Sequence, residues 1–88
     1  MTLTEYCDAM NLQLRLNYYP NQSNRWSVNI TDLEMKEDYS LRIVYGNGSS
    51  PDEALVDYVD KIKGQMIVID AMDTNRREYV VPTTLMAK

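Results

Sequence analysis

Thirteen Asp and Glu residues and no histidine set the chemistry open to this chain of 88 residues. Without imidazole there is no Ser–His or Cys–His nucleophile pair and no imidazole metal site, and the commonest general base is missing. The single Cys7 excludes an internal disulfide and any multi-cysteine zinc or iron–sulfur site. It falls on the apolar face of a short helical pattern, with no basic neighbour to hold a thiolate, and so reads as a small hydrophobe. Carboxylates remain. Asp70 and Asp73 flank Ala71 and Met72 at a strand end, where a pair could meet a divalent cation, although solvated strand-end charge is the plainer reading. Nothing matches the D-x-D-x-D-G calcium loop. The inventory points away from an enzyme and to no cofactor and no metal. A carboxylate- and metal-dependent hydrolase through Asp70 and Asp73 is the catalytic alternative.

A second place that could do chemistry is "YGNGSSPDEALVDYVDKIKG", residues 45–64. Backbone N–H groups at a helix start can hold an anion. A phosphate loop, however, needs G-x-x-x-x-G-K-[ST], and no Lys or Arg follows Gly48 until Lys61. A dinucleotide fingerprint needs a third glycine in a parallel βαβ unit. Asp52 and Glu53 already occupy the electropositive helix end. The stretch therefore reads as a strand-to-helix hinge, with its glycines there for backbone conformation.

Charge narrows the partners. A net charge of −4, with nine scattered Lys and Arg, suits direct nucleic-acid binding poorly, because such binding works by neutralising phosphates. It suits a basic protein partner, which could itself bind nucleic acid. No run approaches a membrane span and the N-terminus lacks a basic-then-apolar signal design, so a cytoplasmic protein is expected and the N-x-[ST] matches at Asn21, Asn29 and Asn47 are chance. At 44% hydrophobic and 25% charged, the chain reads as one ordinary domain over residues 1–88. A core this small supplies about 3–5 kcal/mol, which leaves a role for homodimerisation or partner binding.

The elements that must position these residues are legible from spacing. "TLTEYCDAMN" is a short helix with a Thr2–Glu5 capping box and Leu3, Tyr6, Cys7 and Met10 on one face, stopped at Asn11. "LQLRLNYY" alternates Leu12, Leu14 and Leu16 against Gln13, Arg15 and Asn17, and after the "PNQSN" turn Trp26, Val28 and Ile30 do the same. "DLEMKEDY" either prolongs that strand or holds a bulge and a charged turn around Lys36 to Asp38. A third strand puts Leu41, Ile43 and Tyr45 on one face, completing an antiparallel three-stranded meander. The covering helix starts at Ser50-Pro51 with Glu53 closing the box, and its stripe is Leu55, Tyr58, Val59 and Ile62. Lys61 and Lys63 end it and Gly64 stops it. "MIVIDAM" is a strand, "DTNR" a turn and "EYVVP" a last strand ending at Pro82, with residues 83–88 frayed. The expected class is α+β, in the order α-β-β-β-α-β-β.

The candidate partner-binding residues follow. Asp52, Asp57 and Asp60 face outward on the helix, and Glu34, Glu37 and Asp38 surround the charged turn. Tyr18 and Tyr19 end a strand on opposite faces, so one of them is a natural interface anchor. Trp26 is read as a sheet-face residue in phase with Val28 and Ile30.

Two resemblances rest on these motifs. Trp26-Ser27-Val28 in "RWSVNI", followed by Gly48, Ser50, Glu53 and Ala54 in "GNGSSPDEA", is similar to the HicB-type antitoxin core over residues 12–70. The family's Pro-Asp…Gly turn is replaced here by "TDLEMKEDYS". The resemblance implies a non-catalytic fold that neutralises a small basic toxin. The whole chain, with "LTEYCDAMNLQL", "YGNG" and "R-EY-VP", also resembles small acidic proteins of phages and prophages of Gram-positive bacteria. That resemblance implies a non-enzymatic accessory protein that binds another protein, such as an anti-CRISPR-type inhibitor occupying the nucleic-acid-binding surface of a host defence nuclease.

Overall fold

Thr2 opens the first helix by accepting from the Glu5 N–H (3.3 Å), while the Glu5 carboxylate accepts from the Thr2 N–H (2.9 Å). In the computed structural model, which describes residues 1–88, this helix α1 (Leu3–Met10) stops at Asn11. The left-handed backbone of Asn11 (φ 55°) turns its N–H back to the Asp8 and Cys7 carbonyls. Short polar side chains tolerate that conformation, and three aspartates use it to end strands: Asp32 (φ 63°), Asp38 (φ 52°) and Asp70 (φ 55°).

Between the helices run β1 (Leu14–Tyr18), β2 (Trp26–Ile30), β3 (Leu33–Glu37), β4 (Ser40–Arg42) and β5 (Gly46–Gly48). Helix α2 (Pro51–Ile62), β6 (Met66–Ile69) and β7 (Arg77–Val80) complete the chain. The strands form two antiparallel sheets, ordered β1-β2-β5 and β4-β3-β6-β7. One core joins them, with Leu3, Tyr6 and Cys7 from α1, Val28 and Ile30 from β2, Leu33 and Met35 from β3, Tyr58, Val59 and Ile62 from α2, and Ile67 and Ile69 from β6. The α+β class is as expected, and the finer plan differs in four places.

First, the charged stretch after Ile30 neither prolongs that strand nor bulges but forms a strand of its own, β3. Of the second alternative only the charged turn is present, at Asp38. Asp32 turns the chain out of the first sheet, so Ile30 and Leu33 are both buried although an odd number of residues apart. Leu33 and Met35 then point inward from a new hairpin that belongs to the second sheet. Second, the expected third strand carrying Leu41, Ile43 and Tyr45 is divided. Ile43 and Tyr45 are exposed, and the inward register is Val44, Gly46 and Gly48. The apolar alternation pointed to the wrong face because two of the true core-facing positions have no side chain.

Third, residues 83–88 are held rather than frayed. Leu85 is buried, the Leu3 N–H donates to the Met86 carbonyl (2.8 Å) and the Met86 N–H donates to the Met1 carbonyl (3.1 Å). The strand expected over 66–72 also ends early, at Ile69, where Asp70 breaks it and leaves Met72 in solvent.

Candidate functional site

The distinctive local structure is the one launched by "YGNGSSPDEALVDYVDKIKG". Helix α2 crosses β5 at backbone contact distance. A Cβ at Gly46 would lie 2.3 Å from the Ala54 carbonyl oxygen and 2.4 Å from the Tyr58 Cβ, and one at Gly48 would lie 2.6 Å from the Ala54 nitrogen. Neither glycine has a positive φ; the only one that does is Gly64, just past the helix. The expectation that Gly46 and Gly48 serve conformation is therefore corrected: they are there because any side chain would push the helix off the strand.

This close approach lets the helix finish the sheet edge. In β5 the glycines bond to β2, so the flanking Tyr45, Asn47 and Ser49 turn their backbone groups outward. Three α2 side chains spaced four residues apart meet them in order. The Ser49 N–H donates to the Glu53 carboxylate (2.9 Å), the Asn47 N–H donates to Asp57 Oδ2 (2.8 Å) and Lys61 Nζ donates to the Tyr45 carbonyl (2.9 Å). Glu53, Asp57 and Lys61 thus stand in for a further strand and close an edge that would otherwise invite another chain. The Ser49 hydroxyl and N–H hold the Glu53 carboxyl below its usual range. Partial burial pushes the Asp57 carboxyl up, but the Asn47 N–H and Lys61 outweigh it and the net direction is down. The capping box is also displaced by one residue: Ser50 accepts from the Glu53 N–H (3.2 Å), while Glu53 reaches back to Ser49.

On the outer side of α2, Asp52, Glu53, Asp57 and Asp60 line an open groove of about 530 Å³ around half-exposed Val56, with Ala87 and Lys88 as its other wall. Lys88 Nζ sits 2.5 Å from Asp52 Oδ2, Lys61 pairs with Asp57 (2.9 Å) and Lys63 pairs with Asp60 (3.2 Å). The three helix acids singled out from sequence therefore do converge on one surface. Glu34, Glu37 and Asp38 are not part of that groove: Glu37 pairs with Arg42 (2.8 Å), and Asp38 makes the β3–β4 turn beside fully exposed Tyr39.

Glu34 instead lines a second acidic groove of about 530 Å³ with Asp32, Asp70 and Asp73, between the β2–β3 and β6–β7 turns. These carboxylates do not close around a point. No group of three His, Cys, Asp or Glu side chains is placed to hold a metal ion. Asp73 accepts from the Asn75 N–H (3.2 Å) and the Thr74 hydroxyl (3.1 Å), which shape its own turn and, the Asn75 N–H foremost, lower its carboxyl from the usual range. Cys7 is buried in the core, and burial, followed by the charge of Asp8, pushes its thiol up.

Tyr18 and Tyr19 are both about half exposed. The Tyr18 ring leans on half-buried Trp26, with centroids 4.8 Å apart at 55°. Val56, Lys61 and Lys88 were not foreseen as parts of the acidic site. The four-residue spacing of Glu53, Asp57 and Lys61 was visible in sequence, but it looks the same as a solvated helix face.

Compared with protein-family models, curated proteins and solved structures, the chain matches none. No helix is long and apolar enough to cross a membrane.

Proposed function

We propose that this chain is a non-enzymatic binding protein whose acidic α2 groove receives a basic segment of another protein. The observation that carries this reading is the groove itself. Its carboxylates surround an exposed valine, and three of them, Asp52, Asp57 and Asp60, already hold lysine ammonium groups, those of Lys88, Lys61 and Lys63. A Lys or Arg of a partner matches both parts, with its aliphatic stem on Val56 and its charge among Asp52 and Asp60. Lys88 and Asp52 are both well exposed, and an exposed pair of this kind is worth only about 0–1 kcal/mol, so an incoming cation displaces it readily. A partner that presents such a segment on a phosphate-binding surface would be blocked from nucleic acid. That is the action expected of a phage- or prophage-encoded anti-defence inhibitor.

The test is affinity capture from host lysate at low and high salt, with the wild type beside Asp52→Lys/Asp60→Lys. That variant leaves Asp57 and its structural contacts intact. The expected result is a nucleic-acid-binding partner lost on charge reversal, lost at high salt and competed by duplex DNA. A partner indifferent to charge reversal, or no partner at either salt, overturns the reading. A second reading, a stand-alone HicB-like antitoxin, is supported by the pairing of Trp26 with Gly48 across β2 and β5, which unites the two halves of that motif. Rescue of cells from a small basic toxin encoded beside this chain's gene would favour it, and an isolated gene would count against it.

A further inference from the structure

We propose that β1 is a homodimer interface, pairing antiparallel with β1 of a second copy about a two-fold axis at Leu16. The Thr31 N–H bonds to the Gln13 carbonyl (2.8 Å) and the Tyr19 N–H to the Arg25 carbonyl (2.7 Å). The antiparallel alternation between them therefore gives Arg15 and Asn17 to β2 and turns the backbone groups of Leu14, Leu16 and Tyr18 outward. Nothing in the fold meets those groups. The other edges are different. That of β5 is closed by Glu53, Asp57 and Lys61. β4 is only three residues long, and β7 turns outward Val80 and Glu78, the latter within an ion-pair cluster with Arg76 and Lys36.

The occupant is argued from register. Centring the pair on Leu16 sets Leu16 opposite Leu16 and Leu14 opposite Tyr18, so every outward N–H and C=O finds its counterpart. The same register places Arg15 opposite Asn17, so no like charges face each other. Leu16 and Tyr18, each 49% exposed in the single chain, lie on the face that α2 covers. In the pair they would become the floor of a trough between the two α2 helices. This surface is separate from the acidic groove, so charge reversal there does not bear on it.

The experiment is sedimentation equilibrium of the full chain over a concentration series, with Leu16→Lys and Leu16→Glu alone and mixed. Each single variant sets like charges against each other on the axis. The expected result is a concentration-dependent wild-type dimer, monomers for each variant and recovery of the dimer mass in the mixture. Circular dichroism should show both variants folded, since Leu16 is half exposed. Amides of Leu14, Leu16 and Tyr18 should exchange more slowly at high wild-type concentration. A wild type that stays monomeric, or a dimer that both single variants retain, overturns the proposal.

Discussion

Tyr58 shows how much one side chain does here. It is fully buried, and its hydroxyl accepts from the Ile30 N–H (3.0 Å), which faces past the end of β5 and has no strand partner. Tyr58→Phe leaves that N–H unpaired and should cost about 1–3 kcal/mol at neutral pH. The pH dependence has a definite sign. Burial pushes the phenol from 10.0 up to about 12, against the opposing pull of the Ile30 N–H. The unfolded chain therefore releases this proton first as pH rises. The stability tied to the protonated phenol is intact below pH 10.0 and drains away as pH climbs through about 12, roughly 2–3 kcal/mol over that window. Urea unfolding of both proteins along a pH series should show the gap between them narrowing in alkali. A constant gap would place the hydroxyl in water. At this scale the sequence was partly legible. Tyr58 was visible as a stripe residue, but its polar partner lies 28 positions away and no local spacing announces it.

The caps and stops of α2 could be read because they are short-range chemistry: Ser50, Pro51 and Gly64 act on neighbours within a turn. The bond between helix and strand could not, because outward polar spacing looks the same whether it meets water or a strand edge. Glu53, Asp57 and Lys61 belong to the second case. Asp57→Ala removes the acceptor of the Asn47 N–H and the partner of Lys61. A hydrogen bond to a charged group contributes about 1.5–3 kcal/mol, so the variant should lose an amount near the lower figure. Because the Asp57 carboxyl is held below its usual range, that contribution is present at neutral pH and lost as pH falls through the folded value. Wild type and variant should therefore converge in acid. Hydrogen exchange supplies the local readout, with the Asn47 amide becoming faster in the variant while Val28, on the inner side of the same sheet, is unchanged. Equal protection of Asn47 in both proteins would mean that the helix does not guard this edge.

The whole molecule is where the sequence said least, because the division into two sheets turns on a left-handed Asp32, and the last residues are held by contacts with the start of the chain. Apolar alternation assigns strands to faces but does not assign strands to sheets. It also leaves "TTLMAK" looking like a tail, since only Leu85 and the flanking Val81 are buried around it. In the fold, Leu85 closes the core against α1, and the Met86 backbone bridges Thr2. Truncating a buried leucine to alanine costs about 2–5 kcal/mol. A domain of this size has about 4–13 kcal/mol in total. Leu85→Ala should therefore remove a large share of it and strongly lower the urea midpoint. Met86→Ala, at a half-exposed side chain whose backbone makes the bonds, should stay within about 0.5 kcal/mol of wild type. If both substitutions prove equally mild, the end of the chain is not part of the core and Lys88 is not held at the acidic groove. Two unlike midpoints would tie the last residues to the first helix and keep Lys88 seated over Asp52.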